Sequence, residues 1–171
     1  MNIKESLCIY SSCDSAVTKS VNPAPRKYGP WARQLYVLIY VYKGKGYLEV
    51  GGKRYEITEG QSFLVFPGVT VTYWADVQDE WQYYWADFNG DLAKEFAEKM
   101  SFSLEHPVLD ATKNGIPDKF RALVAASVYK DESTAIDQLS AFMSLAAEYI
   151  RPYGNVSTKQ KYLMEDIVAY I

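Results

Sequence analysis

Histidine is almost missing: the chain holds one, His106, in 171 residues. It falls after the strand-rich stretch described below. A protein-held catalytic metal usually draws on two or three imidazoles and a carboxylate, so neither a metal nor a cofactor is expected. Glu49, Glu56 and Asp87 by themselves would hold only a hard cation, and weakly. Cysteine is scarce as well. Cys8 and Cys13 form no Cys-x-x-Cys pair and have no histidine near them, which reads as two reduced thiols. The chain has no Gly-x-Ser-x-Gly elbow, no P-loop and no Gly-x-Gly-x-x-Gly after a strand, and Gly44-Lys45-Gly46 lacks the context of a nucleotide motif. No catalytic residue is assigned. No apolar run reaches the roughly 18 residues of a membrane span. The start, Met1-Asn2-Ile3-Lys4-Glu5, turns acidic too early for a secretory leader. A cytoplasmic protein without a membrane partner is expected. Basic charge is also short, with 18 Lys and Arg against 21 Asp and Glu and a net charge of −3. Lys43, Lys45, Lys53 and Arg54 are interrupted by Glu49 and Glu56, so they read as a solvated hairpin and not as a phosphate-binding stripe.

Apolar and aromatic surface is what the chain has in quantity. Hydrophobic residues make up 49% and aromatics 15%, with 15 tyrosines. That is enough for a sizeable core. A buried tyrosine hydroxyl needs a partner, so tyrosine suits a pocket that is apolar in bulk and polar at points.

Along the chain, residues 1–33 read as an arm with a short first strand, punctuated by Asn22-Pro23-Ala24-Pro25 and Tyr28-Gly29-Pro30. Residues 34–90 read as strands at 35–42, 47–50, 53–57, 62–66, 71–75 and 81–88. Glycine turns join them, and Gly51-Gly52 suits a type I′ hairpin. Short strands at this spacing predict a sandwich or barrel. Beyond residue 90 the period becomes helical, over 91–100, 117–129 and 133–150, with a further helix over 159–171. In the 133–150 helix, Ile136, Leu139, Phe142, Met143, Ala146, Tyr149 and Ile150 follow i, i+3, i+4, i+7 spacing. The expected class is mainly β with α: an antiparallel sandwich or barrel over 34–90, followed by helical segments over 91–156 and 157–171.

Five stretches in order carry a specific likeness. They are Tyr28-Gly29-Pro30 with Arg33 and Tyr36; Gly44-Lys45-Gly46; Gly60-Gln61-Ser62-Phe63-Leu64-Val65-Phe66-Pro67; Tyr73 with Ala75-Asp76; and Trp81-Gln82-Tyr83-Tyr84-Trp85-Ala86-Asp87-Phe88-Asn89-Gly90. Together residues 28–90 resemble the amino-terminal sensor of the AraC/XylS family of transcription regulators, a cupin-like barrel of jelly-roll type. The likeness is strongest to the branch that regulates uptake and breakdown of oligosaccharides, such as multiple-sugar or α-galactoside systems. The resemblance implies a small-molecule effector, a mono- or oligosaccharide, and a homodimer formed through the helices. It implies DNA contact only through a C-terminal pair of helix-turn-helix units, which this chain does not contain, with 157–171 leading toward them.

In a strand, residues two apart share a face. Trp81, Tyr83, Trp85 and Asp87 therefore line one face, and Gln82, Tyr84, Ala86 and Phe88 the other. A flat ring covers the apolar C–H face of a sugar, while a phenol or carboxylate meets its hydroxyls. By the family's pattern Tyr83 and Trp85 fall at ligand contacts, with Tyr73 on the preceding strand; the alternative is that these rings are barrel core. Asp87 shares the face but is not assigned to the site. An arginine near Arg33 reaches the pocket in the family, where its fork suits two hydroxyls or a carboxylate; the alternative is a surface salt bridge. Tyr36 is placed in the same pocket. Leu139, Phe142 and Met143 form the candidate stripe across a two-fold axis, against a purely intramolecular bundle. The arm reads either as a lid or as a frayed terminus. The competing functions are a stand-alone carbohydrate-binding barrel, a metal-holding cupin enzyme and an interaction module with a filled barrel.

Overall fold

The computed structural model describes residues 6–16, 27–112, 115–128 and 133–151. In chain order the elements are β1 (Cys8–Asp14), β2 (Lys27–Ala32), β3 (Tyr36–Lys43), β4 (Lys45–Val50), β5 (Lys53–Thr58), β6 (Gln61–Val65), β7 (Thr70–Ala75), β8 (Gln82–Asn89), α1 (Ala93–Lys99), β9 (Val108–Asp110), α2 (Ile116–Ala126) and α3 (Thr134–Ile150). The strands form two sheets, β1-β8-β3-β6-β9 and β2-β7-β4-β5. Neighbouring strands in both are antiparallel. From β1 to β8 every connection passes from one sheet to the other except the β4–β5 hairpin. This is the double-sheet jelly-roll form of a cupin-like barrel, two facing sheets in place of one closed cylinder.

The apolar pattern of β3 explains the layers. Val37 through Val41 are all buried, so both faces of this strand need cover. Val37, Ile39 and Val41 point between the sheets, where they meet Leu48, Ile57, Phe63, Val71 and Trp81. Leu38 and Tyr40 point the other way, into a second core with Phe120, Leu123, Phe142 and Leu145 of α2 and α3. The five-stranded sheet is therefore the middle layer, with the four-stranded sheet on one side and helices on the other. In α2, Ile116, Phe120 and Leu123 fall on one helical face and are buried there.

Two glycine sites have a geometric cause. Gly51 and Gly52 adopt φ of 58° and 74°, the doubly positive turn that pairs Val50 with Lys53. At Gly46 a Cβ would lie 2.3 Å from the indole of Trp81, so a side chain there and this tryptophan cannot coexist.

The sheets draw on residues outside 34–90. β1 pairs with β8 and β2 with β7; a short first strand is expected within 1–33, but the proline-punctuated arm also supplies β2. Pro30 fits because it falls in the register shift of edge strand β2, between Tyr28 and Trp31, where a missing N–H costs no ladder bond. β9 adds to the far edge of the five-stranded sheet. The helix expected over 159–171, and the linker with it, lie outside the described residues.

The helix stripe separates into two faces. Phe142, expected at a pairing surface, is completely buried, with its ring 4.7 Å from Phe88 and 6.2 Å from Phe96. It belongs to the helix–sheet core. Leu139 is half-buried against the same cluster. Met143, next to Phe142 and so turned by about 100°, remains 46% exposed.

Candidate functional site

At one end of the space between the sheets, β8 supplies Tyr83, Trp85 and Asp87 from alternate positions, and β7 supplies Tyr73. Edge strand β1 runs beside β8 with Cys13 opposite Trp85 and Ser11 opposite Asp87. Just after β1, the Ser15 hydroxyl accepts the Tyr83 amide at 2.8 Å. β2 brings Tyr28 and Trp31 over β7, with Tyr28 opposite Tyr73, and Arg33 follows directly after it.

The rings form a continuous path. Tyr28 stacks on Tyr73 with centroids 5.1 Å apart and planes at 21°, and Trp31 leans on Tyr28 at 5.8 Å. Below them Phe63 and Trp81 stack at 5.9 Å. Trp81 then meets Tyr83 edge-on at 5.6 Å, and Tyr83 meets Trp85 at 6.0 Å. Burial is graded along this path. Tyr73, Tyr83, Trp81 and Phe63 are buried, Trp85 and Tyr28 are half-buried, and Trp31 is exposed.

Polar groups gather beside the rings. Arg33 Nη1 lies 3.3 Å from Asp87 Oδ1, with the arginine side chain 39% exposed and the aspartate side chain only 10%. The Ser11 hydroxyl donates to Asp87 Oδ2 at 2.9 Å. Burial pushes the Asp87 carboxyl above its ordinary range, while the Ser11 hydrogen bond and the Arg33 charge pull it back. Burial also raises the Tyr73 phenol, opposed by Arg33. Burial, then the neighbouring Tyr28 phenol, raises Tyr83. Both phenols are therefore neutral at physiological pH, each able to donate and to accept. Cys13 is a free, half-buried thiol, raised chiefly by burial.

Such a site combines flat apolar faces with a guanidinium donor, a carboxylate acceptor and neutral hydroxyls. That set suits a molecule with an apolar face and a rim of hydroxyl groups. Among the described residues no three His, Cys, Asp or Glu side chains gather as metal ligands. No described helix is long and apolar enough to cross a membrane.

Of the residues selected from sequence, Arg33, Tyr73, Tyr83 and Trp85 come together here. Tyr36 does not. It points to the opposite face of its sheet, stacked on Phe88 at 5.2 Å, and lines a separate cleft of about 250 Å³ with Phe66, Lys94, Glu98 and Phe102. The reason is strand parity: Tyr36 shares a face with Leu38 and Tyr40, which the helices cover. Asp87, Ser11, Tyr28 and Trp31 complete the site and were not selected. Alternation with Tyr83 and Trp85 was a usable signal for Asp87. Ser11 had none, because its place depends on the register of an edge strand.

Comparison with known proteins gives partial matches of consistent kind. The chain is 31% identical over 74 residues to the Msm operon regulatory protein of Streptococcus mutans serotype c, covering 43% of this chain and 27% of that protein. It is 32% identical over 76 residues to the lactose operon transcription activator of Staphylococcus xylosus, covering 44% and 27%. The matched part thus spans about a quarter of each of these relatives. Among solved structures, a cupin 2 conserved barrel domain protein from Salinispora arenicola aligns with a TM-score of 0.35 at 18% identity, over 43% of this chain and 61% of that one. A cupin protein from Bacteroides fragilis aligns at 0.34 and 15%, over 40% and 56%. Residues 20–146, well over half of the chain, match the family model of the AraC-like ligand binding domain, and the chain belongs to that family.

Proposed function

We propose that this chain is the effector-sensing and pairing module of a sugar-responsive transcription regulator, and that its effector is a mono- or oligosaccharide. The observation that carries this reading is the meeting of Tyr73, Tyr83 and Trp85 with the Arg33–Asp87 pair at one end of the inter-sheet space. The rings cover a sugar's C–H face. Arg33 donates to its hydroxyls, Asp87 accepts from them, and the phenols do either. The two curated relatives are regulators by name, one of them of a lactose operon. That supports binding over catalysis and makes galactosides the first compounds to try. Contact with DNA is assigned to a separate part of the full regulator. Occupancy acts by shifting a population of arrangements, by no more than the ligand's differential affinity for them.

A thermal-shift screen with glucose, galactose, lactose and raffinose tests the ligand class. At about a hundredfold excess over Kd, binding adds about 2.7 kcal/mol to the folded state, which raises the melting temperature by about 5–10 °C for a chain of this size. No shift with any sugar, together with unchanged tryptophan fluorescence, would remove the saccharide reading.

Pairing is proposed through α3. Ile136, Met143 and Ile150 repeat every seven residues and are 65%, 46% and 43% exposed, with half-buried Leu139 beside them. A seven-residue apolar repeat on a helix is the seam of a two-helix contact. Met143→Glu is expected to give monomers in sedimentation velocity with a melting temperature close to that of wild type, since exposed positions contribute little to the monomer fold. A wild-type chain already monomeric at tens of micromolar would count against pairing.

A further inference from the structure

Edge strand β1 has the proposed ligand site on one face and the helices on the other. Two adjacent serines divide between them. Ser11 donates to Asp87 Oδ2 at 2.9 Å, on the side of the aromatic rings. Ser12 is buried on the opposite side. Its hydroxyl lies 3.2 Å from the Leu123 carbonyl oxygen and 2.5 Å from Ser127 Oγ. Ser127 Oγ is itself 3.0 Å from that carbonyl, and Gln138 Nε2 donates to it at 3.0 Å.

These contacts have a structural reason. Leu123 stands in the last turn of α2, where carbonyls lack an intrahelical partner. The Ser127 amide goes to Val124 instead. Ser12 and Ser127 therefore finish the end of α2 with side-chain hydroxyls, one of them borrowed from a strand. Gln138 lies on α3, two residues from Ile136 and five from Met143. An unbroken polar chain thus runs from Arg33 and Asp87 through Ser11, across one peptide unit to Ser12, then to Ser127 and Gln138.

β1 is also placed to move. Among the described residues it has a neighbour on one side only, β8, and its register shifts between Ile9 and Ser11. A bulged edge strand shifts at lower cost than a central one. A ligand hydroxyl that engages Asp87 shares the carboxylate with Ser11 and so weakens or redirects the Ser11 hydrogen bond. Any rotation of β1 that follows carries Ser12 against the end of α2.

We propose that β1 transmits the state of the site to α2 and α3, with Ser11 and Ser12 as positioning residues on its two faces. This rests on the ligand site proposed above and names how that site is coupled to the pairing helix.

The test needs no sugar, so its failure and the failure of the saccharide reading are separate events. Amide hydrogen exchange is measured on the whole chain for wild type, Asp87→Asn, Ser12→Ala, Gln138→Ala and the corresponding double variants. Asp87→Asn is expected to change exchange at residues 123–128 and 134–140 by at least about fivefold, the lower end of typical coupling. In the Ser12→Ala background the same change should add nothing there, and Ser12→Thr, which keeps the hydroxyl, should restore it. If Ser12→Ala loses protection throughout the chain, the Gln138→Ala background, cut at the outer end of the relay, decides at residues 134–140. The proposal is overturned if Asp87→Asn leaves these amides at wild-type rates, or if its effect persists in full with Ser12 or Gln138 truncated.

Discussion

Phe142→Ala is expected to cost about 3–5 kcal/mol of unfolding free energy, enough to remove much of the stability of an ordinary domain. The ring is completely buried and sits between Phe88 and Phe96, in the core that joins α3 to the five-stranded sheet. Its removal loses the transfer energy of an aromatic side chain and leaves a cavity that rigid β-sheet neighbours fill poorly. Urea unfolding measures it directly, as a fall in the midpoint at unchanged slope. A loss below about 1 kcal/mol would show that α3 is not docked as described.

Trp85→Ala and Arg33→Ala are each expected to weaken saccharide binding by about ten- to hundredfold, measured by calorimetry with the sugar that gives the largest melting shift. The arginine figure follows from losing a charged hydrogen-bond donor worth about 1.5–3 kcal/mol. The tryptophan figure follows from losing ring contact area and stacking. Trp85 is partly exposed, so the unliganded Trp85→Ala chain should melt near wild type, whereas Arg33→Ala leaves the buried Asp87 carboxylate without its cation and should melt somewhat lower. Unchanged affinity in either variant would take that residue out of the site.

Asp87 adds a pH signature to the same experiment. Burial lets it keep its proton to higher pH when folded than when unfolded, where an aspartate titrates near about 3.9. In the window just above that value the folded chain binds more protons. This group's contribution to stability therefore falls as pH rises through the window, and levels off above it. Binding should run the other way, because hydroxyl donors need the ionised carboxylate. Affinity should hold at neutral pH and decline as pH falls through the raised value. Asp87→Asn should flatten both trends.

Much of the barrel was legible because its strands announce themselves by residue type and period. The run from Tyr36 to Val41 is mostly β-branched or aromatic, the run from Gln82 to Asn89 is rich in aromatics, and Gly51-Gly52 fits one kind of turn. β1 and β9 were harder. β1 has cysteines and serines in place of apolar alternation, and β9 has three residues. Each forms because a neighbouring strand offers it a ladder, which is a property of the assembled sheet. The site divides in the same way. Alternation within one strand puts Tyr83 and Trp85 on a common face, where their rings meet. Tyr36 was misplaced because both faces of β3 are apolar, and parity without a reference face leaves the choice open.

The sequence by itself determined that the chain builds a sandwich or barrel of short strands followed by amphipathic helices, and that Tyr83, Trp85 and Asp87 share a face. Those outcomes depend on periodicity and turn chemistry, which act over a few residues. Only the tertiary structure decided which face looks inward, which half of the α3 stripe is buried, and that Ser11 and Arg33 meet one carboxylate from 76 and 54 positions away. Such meetings depend on strand register and on the packing of layers, and no local pattern encodes either.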